Sequence, residues 1–258
     1  MRLALSENLL DYSGLYPPER LPLSRALANF RDYQDGPQAF LLGRLVVGPL
    51  DLEPLLDLLD PFSALRLCVV AQHDAKACFE AIELFHARAS SRVRVDTVEV
   101  KLDESEGWKW WAHHWGYHLL VEMTPDEARS HLSAFRWGPR VGAKLRTAGH
   151  TPDAVLGFMR SCSRAHLPFK AVGPVGARAV RLVASAAWVA RGVASDQLEP
   201  LLDEEDPSAL RWGDESLQWR DLSLSLGEAR EARRQLCRCF GVCSFTGSVA
   251  ELKALQWI

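Results

Sequence analysis

The feature that most constrains the fold of this chain is an alternation of short β-rich runs with segments of helical periodicity. Each run holds mostly apolar, β-branched or aromatic residues, and each is followed by residues that repeat their apolar positions every three or four places. Because strands separated by helices pair in parallel, the pattern predicts an α/β fold. The six clearest runs are residues 40–47, 64–71, 93–102, 118–123, 141–147 and 169–172.

Helix start signals support this alternation. Asp74 is the first residue of the helical segment 74–88 and is a plausible N-cap. Thr124-Pro125-Asp126-Glu127 places a proline and two acids in the first turn of the next helix. The pattern therefore predicts helix boundaries as well as helices.

The chain after residue 172 is harder to interpret. Residues 180–189 are consistent with a short seventh strand that runs into a helix, and residues 210–226 resemble a small hairpin. A charged helix over 226–240, an eighth strand over 242–245 and a closing helix over 249–255 complete the prediction.

Eight strand–helix steps predict a closed (β/α)8, TIM-barrel-like fold that forms one domain over residues 1–258, irregular or incomplete after strand six. The alternative is an open doubly wound sheet. No Gly-x-Gly-x-x-Gly follows the first predicted strand, so nothing favours a dinucleotide-binding version of that alternative.

Composition excludes several classes of protein. A hydrophobic content of 48% and a net charge of −3 exclude a disordered chain and give no electrostatic basis for binding nucleic acid or an anionic membrane. The first 15 residues do not resemble a signal peptide, so we expect a cytoplasmic protein with six reduced cysteines, without membrane association. The sequence is compatible with a homo-oligomer.

Four segments carry a resemblance to a known family: residues 11–18 (DYSGLYPP), 143–149 (AKLRTAG), 168–171 (PFKA) and 240–245 (FGVCSF). Together they are similar to an uncharacterised bacterial family of conserved hypothetical proteins. The resemblance implies a barrel-like fold and supplies no activity. In the family, Thr-Ala-Gly and a pair of histidines follow the third segment, whereas this chain has VGPVGA over 172–177 and no histidine. An activity that used those histidines would be lost or changed here.

Charged residues break the apolar pattern of strands three to six. A strand inside a barrel should be almost entirely apolar, and side chains two residues apart point to the same face. The apolar alternates should pack against helices, so we expect the charges to point inward, at the carboxyl ends where barrel enzymes keep their active sites. They are Glu99, Lys101, Glu122, Lys144, Arg146 and Lys170.

Two interpretations of these charges are open. In the functional one, Lys144 or Lys170 has a pKa lowered by a neighbouring cation and acts as a Schiff-base nucleophile or general base. Glu99 or Glu122 is then its proton-transfer partner, while Arg146 binds a carboxylate or phosphate. In the structural one, the charges form an interior ion-pair network, Glu122 with Lys144 for example, and catalyse nothing.

Weaker candidates lie near other strand ends. Ser244 and Thr246, before the last helix, suit a phosphate site; the favoured alternative is that Ser248 or Thr246 is only the N-cap of that helix. His73 follows strand two in the position of a site residue. The segment 11–18 could fold over the barrel mouth and supply Asp11 or Tyr12, or it could plug the opposite end.

Three functions follow from these residues. The first is a lyase or aldolase-like enzyme, or an isomerase, that acts on a small anionic metabolite with no cofactor and no required metal; Lys144, Lys170, Glu122 and Arg146 would carry it. The second is a non-catalytic relative that binds a metabolite or a protein partner. The third is a metal-dependent sugar-phosphate enzyme that uses Glu99, Glu122 and a histidine.

Overall fold

A computed structural model describes residues 2–60, 62–71, 74–102, 116–132, 140–173 and 176–258 of the chain. Eight parallel strands form a closed barrel in the order β1-β2-β3-β4-β5-β6-β7-β11. These strands are β1 (Leu10–Tyr12), β2 (Leu42–Val47), β3 (Leu65–Val70), β4 (Val93–Lys101), β5 (His118–Glu122), β6 (Val141–Arg146), β7 (Phe169–Val172) and β11 (Cys237–Val242). The predicted (β/α)8 fold is therefore confirmed.

Helices pack around the barrel. The described helices are α1 (Arg2–Ser6), α2 (Leu23–Gln34), α3 (Leu52–Leu58), α4 (Ala75–Arg88), α5 (Pro125–His131), α6 (Pro152–Arg164), α7 (Gly176–Ala190), α8 (Ser195–Leu202), α9 (Leu226–Gln235) and α10 (Phe245–Ala254). Those that follow β2, β3, β5 and β6 were predicted, whereas α1, α2 and α8 were not. The predicted caps are present: the Asp74 side chain accepts from the Ala77 N–H, and Thr124 forms a capping box with Glu127.

The prediction missed the first strand. Residues 10–12 pair with both β2 and β11, so they close the barrel at the position where the prediction placed only a preceding loop. A three-residue strand is too short to show a period of two, and its central residue, Asp11, is uncommon in strands. Barrel closure, not local propensity, makes this segment a strand.

The predicted seventh strand over 180–189 is wrong, because these residues lie inside helix α7. This helix is buried on almost its entire circumference, including its polar residues Arg181 and Ser185. A predominantly apolar run of this length does not by itself distinguish strand from helix. The predicted eighth strand over 242–245 is also shifted, since β11 occupies Cys237–Val242 and α9 ends at Gln235.

The irregularity predicted after strand six lies between β7 and β11. Helices α7 and α8 are followed there by a small antiparallel sheet of three strands, β8 (Leu210–Trp212), β9 (Ser216–Trp219) and β10 (Leu222–Ser225). The predicted hairpin is part of this sheet. The sheet contacts α7 through Trp188, whose indole N–H donates to the Ser223 carbonyl at 3.4 Å.

The main core lies between the barrel and its helices. Phe158 of α6 meets Phe169 of β7 edge to face, with 5.7 Å between ring centroids, and both side chains are fully buried. Such pairs contribute beyond their buried area. The contact fixes α6 against the part of the barrel that carries Lys170.

We expect Phe158→Ala to lower the free energy of unfolding by about 3–5 kcal/mol, because it leaves a cavity between helix and strand. Urea denaturation followed by circular dichroism measures this change. Leu84→Ala, at a helical position whose side chain is 67% exposed, is the matched control and should stay within about 0.5 kcal/mol of wild type. Equal losses for the two variants would contradict this view of the core.

Candidate functional site

The centre of the site is the ammonium group of Lys170, which lies inside the barrel. Its Nζ is 2.6 Å from Asp11 Oδ2 and 2.7 Å from Glu99 Oε1. All three side chains are at most 3% exposed. They come from β7, β1 and β4, strands on different sides of the barrel, so their side chains can meet only in its interior.

Asp11 is held in place by strand β2. The Arg44 backbone N–H donates to Asp11 Oδ1 at 2.9 Å, and the Arg44 guanidinium lies 3.7 Å from the same oxygen. A Cβ atom on Gly43 would stand 2.3 Å from that oxygen. A larger residue would not fit at this position of β2, because the Asp11 carboxylate occupies the space that its side chain would need.

Two thiols complete the surroundings of Lys170. Cys68 donates to Glu99 Oε1 and Cys239 donates to Asp11 Oδ2, each at 3.2 Å. Burial and nearby carboxylates raise the pKa of Cys68 well above its ordinary value and that of Cys239 to about 12. Both cysteines are therefore neutral hydrogen-bond donors to the carboxylates and not nucleophiles.

A second ammonium continues the network toward the mouth of the barrel. Lys144 Nζ lies 2.7 Å from Glu99 Oε2 and 2.6 Å from Glu122 Oε2. The other oxygen of Glu122 accepts from Arg146 Nε at 2.6 Å. Positive and negative groups thus alternate from Asp11 through Lys170, Glu99, Lys144 and Glu122 to Arg146.

The electrostatics of Lys170 are opposite to the predicted ones. Burial lowers its pKa, but Asp11 and Glu99 outweigh burial and hold the pKa well above the ordinary value. The pKa of Lys170 is therefore not lowered by a neighbouring cation, as the functional interpretation required. Burial alone would raise the pKa of Asp11 and of Glu99. Their positively charged partners, Lys170 above all, outweigh burial, so the pKa of each carboxyl lies below its usual range. All these groups are ionised at neutral pH.

The outer end of the network reaches an open cavity of about 470 Å³. The side chains of Glu122 and Arg146 are 21% and 60% exposed, and both line this cavity together with Lys101 and His150. Within the part of the chain that the structure describes, Lys101 has no ion-pair partner. The cavity thus holds two cations, Lys101 and Arg146, beside the carboxylates of Glu122 and Glu127.

The structure also brings in residues that the strand pattern does not indicate. The segment after β1 lies at the mouth, where the Cys243 thiol donates to the Pro17 carbonyl at 2.9 Å. Burial and the charges of Asp51 and Glu99 raise the pKa of Tyr16, so its hydroxyl remains a donor near the buried network. The segments 11–18 and 240–245 are the sequence signals for these residues, and the first of them contributes Asp11 to the interior.

Three predicted residues do not join this group. Ser244 is the N-cap of α10, since its hydroxyl accepts from the Gly247 N–H; the alternative prediction of Ser248 or Thr246 as this cap is therefore wrong. Thr246 is exposed and lines a separate cavity with Tyr33 and Lys253. His73 lies outside the described residues.

No protein-family model and no curated protein matches this chain. The resemblance to an uncharacterised bacterial family therefore stays a prediction. Among the described residues, no three His, Cys, Asp or Glu side chains are grouped as a metal site would need, and no helix is long and apolar enough to cross a membrane.

We expect Lys170→Met to lower the free energy of unfolding by about 3–5 kcal/mol, because it leaves Asp11 and Glu99 buried without their shared cation. Urea denaturation measures the loss. Lys76→Met, which removes a 72% exposed lysine paired with Glu80, is the control and should cost less than about 0.5 kcal/mol. A loss below about 1 kcal/mol for Lys170→Met would show that the network contributes little.

Stability should also fall in acid. A carboxyl group whose folded pKa lies below its unfolded value stabilises the protein above the unfolded value, and this contribution is lost as the pH falls toward the folded value. For Glu99 and Asp11 the ordinary values are 4.5 and 3.8. The free energy of unfolding should therefore decline below about pH 4.5, as urea denaturation at a series of pH values would measure. Glu99→Gln should make the decline shallower, whereas Glu53→Gln, at an 83% exposed side chain, should not.

Proposed function

We propose that this protein binds a small anionic metabolite at the carboxyl-terminal mouth of the barrel and catalyses a proton transfer there, as an isomerase or lyase does. The main support is the position of Glu122. Its carboxylate lies between the buried Lys144 ammonium and the exposed Arg146 guanidinium, beside an open cavity. Glu122 is thus the most exposed carboxylate of the network and the one within reach of a ligand.

Arg146 and Lys101 would bind the anion. Arg146 uses only its Nε on Glu122, which leaves its two terminal nitrogens for a bidentate contact with a carboxylate or phosphate. Lys101 lines the same cavity. The mouth of a (β/α)8 barrel is also the usual place for an active site.

Glu122 would accept and return the proton. In the free protein burial raises its pKa, but Arg146 and Lys144 outweigh burial and keep it ionised. An anion on the terminal nitrogens of Arg146 would offset the positive charge that lowers this pKa, so the pKa of Glu122 would rise on binding. The bound ligand would therefore make Glu122 a stronger base at the moment it is needed.

The lysines fit this acid–base role better than a Schiff base. Schiff-base formation needs a neutral amine, whereas Lys144 and Lys170 each lie within 2.7 Å of two carboxylates. Lys144 would instead fix the orientation and charge of Glu122. An aldolase that forms an imine is therefore the less favoured form of this proposal.

A non-catalytic protein that binds the same kind of metabolite is the second candidate. It is favoured by the sealing of Lys144, Lys170, Glu99 and Asp11 in mutual pairs, and by the segment after Lys170, which lacks the histidines of the family it resembles. The metal-dependent sugar-phosphate enzyme has less support, since the described residues offer no cluster of three metal ligands.

A panel of small carboxylates and phosphate esters tests the proposal. Thermal shift measurements should find ligands that stabilise the wild type but not Arg146→Ala. Proton NMR in D₂O should then show deuterium incorporation into such a ligand, or its cleavage. In Glu122→Gln that reaction should be about 10²–10⁴-fold slower, the usual contribution of a general base. Arg88→Ala is the control, because Arg88 is similarly exposed (55%) and has one carboxylate partner.

The outcomes separate the candidates. Binding that depends on Arg146 without exchange or turnover would favour the non-catalytic function. A reaction that survives in Glu122→Gln would contradict the role of Glu122. If neither the panel nor inorganic phosphate stabilises the wild type more than it stabilises Arg146→Ala, the anion site at the mouth is rejected.

A further inference from the structure

Arg238, on strand β11, has no anionic partner in the described part of the chain. Its terminal nitrogen Nη1 lies 3.3 and 3.4 Å from the two ring nitrogens of His118, at the start of β5. Its Nε is buried and has no hydrogen-bond acceptor. No carboxylate among the described residues lies within ion-pair distance of it.

The charges around Arg238 increase this imbalance. Burial lowers its pKa, and the positive charge of Arg44 lowers it further. Arg181 is a useful contrast, because its Nε is also buried and unbonded but the negative charges of Glu204 and Glu251 act on it. A partly buried cation without a negative neighbour is costly unless a ligand supplies the charge.

A cavity of about 530 Å³ adjoins Arg238 at the amino-terminal end of the barrel, opposite the mouth. The carboxyl-terminal ends of α6, α7 and α9 surround it. Its carboxylates are already engaged: Glu228 pairs with Arg191 at 3.0 Å and Glu231 with Arg234 at 2.7 Å. Arg238 is therefore the cation of this cavity whose charge is left unmatched.

We propose that the amino-terminal end of the barrel binds the oxyanion group of a small ligand, a phosphate or sulfate group, through Arg238. The planar guanidinium would offer its two terminal nitrogens as paired donors, an arrangement that matches an oxyanion. The cavity has room for the remainder of a metabolite-sized ligand. This site is separate from the one at the mouth and does not depend on the proposed function.

Sodium sulfate and sodium chloride at matched ionic strength provide the first test. Sulfate should raise the thermal unfolding midpoint of the wild type above its value in chloride, and Arg238→Met should lose the larger part of this increment. In chloride alone Arg238→Met should be as stable as the wild type or more stable, because it removes an unpaired buried charge. Arg181→Met is the matched control and should keep the sulfate increment.

Affinity measurements extend the test. Isothermal titration with inorganic phosphate should give a dissociation constant at least about tenfold higher for Arg238→Lys, which keeps the charge but loses the paired donors. This variant also serves if Arg238→Met fails to fold. Arg146→Ala should retain the Arg238-dependent binding, which distinguishes this site from the mouth. Glycerol 3-phosphate that binds more tightly than phosphate would identify an organic phosphate as the ligand, whereas equal affinities would identify the free ion.

One result would overturn the proposal. If sulfate stabilises Arg238→Met as much as it stabilises the wild type, or if Arg238→Lys binds phosphate with wild-type affinity, the carboxyl-terminal ends of the surrounding helices already balance the charge of Arg238 and no oxyanion binds there.

Discussion

The shared contact of Lys170 with Asp11 and Glu99 is the interaction on which the rest of the barrel interior depends. Transfer of three charged groups out of water is costly, and only close mutual pairing offsets that cost. The pairing requires β1, β4 and β7 to keep the register that brings the three side chains to one level of the barrel. The interior is thus specified by ion pairs where many barrels of this type use branched apolar side chains.

From this centre the network reaches both ends of the barrel. Toward the mouth it passes through Lys144 to Glu122 and Arg146. Toward the amino-terminal end it passes from Asp11 to Arg44, which pairs with Asp96, and Asp96 accepts from Arg66 Nε at 2.9 Å. The central groups are fully engaged, so their protonation states are fixed at neutral pH. Exchange of partners is easiest at the ends, where the side chains meet solvent and where both proposed ligand sites lie.

Sequence reasoning predicted six of the eight barrel strands, because each is long enough to show its composition and is followed by a recognisable helix start. It placed β11 several residues too late, and it failed for two other elements, β1 and α7. Strand β1 is three residues long with Asp11 at its centre, so local propensity argues against it. Helix α7 is buried nearly all round, and a predominantly apolar run does not by itself distinguish helix from strand. Both are elements whose state depends on burial by distant parts of the chain.

The sequence by itself determined the alternating α/β architecture and the charged positions on β4 to β7, since apolar periodicity and charge are local properties. The tertiary structure decided which charges meet. Asp11 and Lys170 are 159 residues apart, and only closure of the barrel through β1 brings them together. That closure also fixed the protonation of Lys170, because a pKa depends on the distances to neighbouring charges and on burial, which no local pattern records. The same closure left Glu122 at the mouth and Arg238 at the opposite end, where the two proposed ligand sites lie.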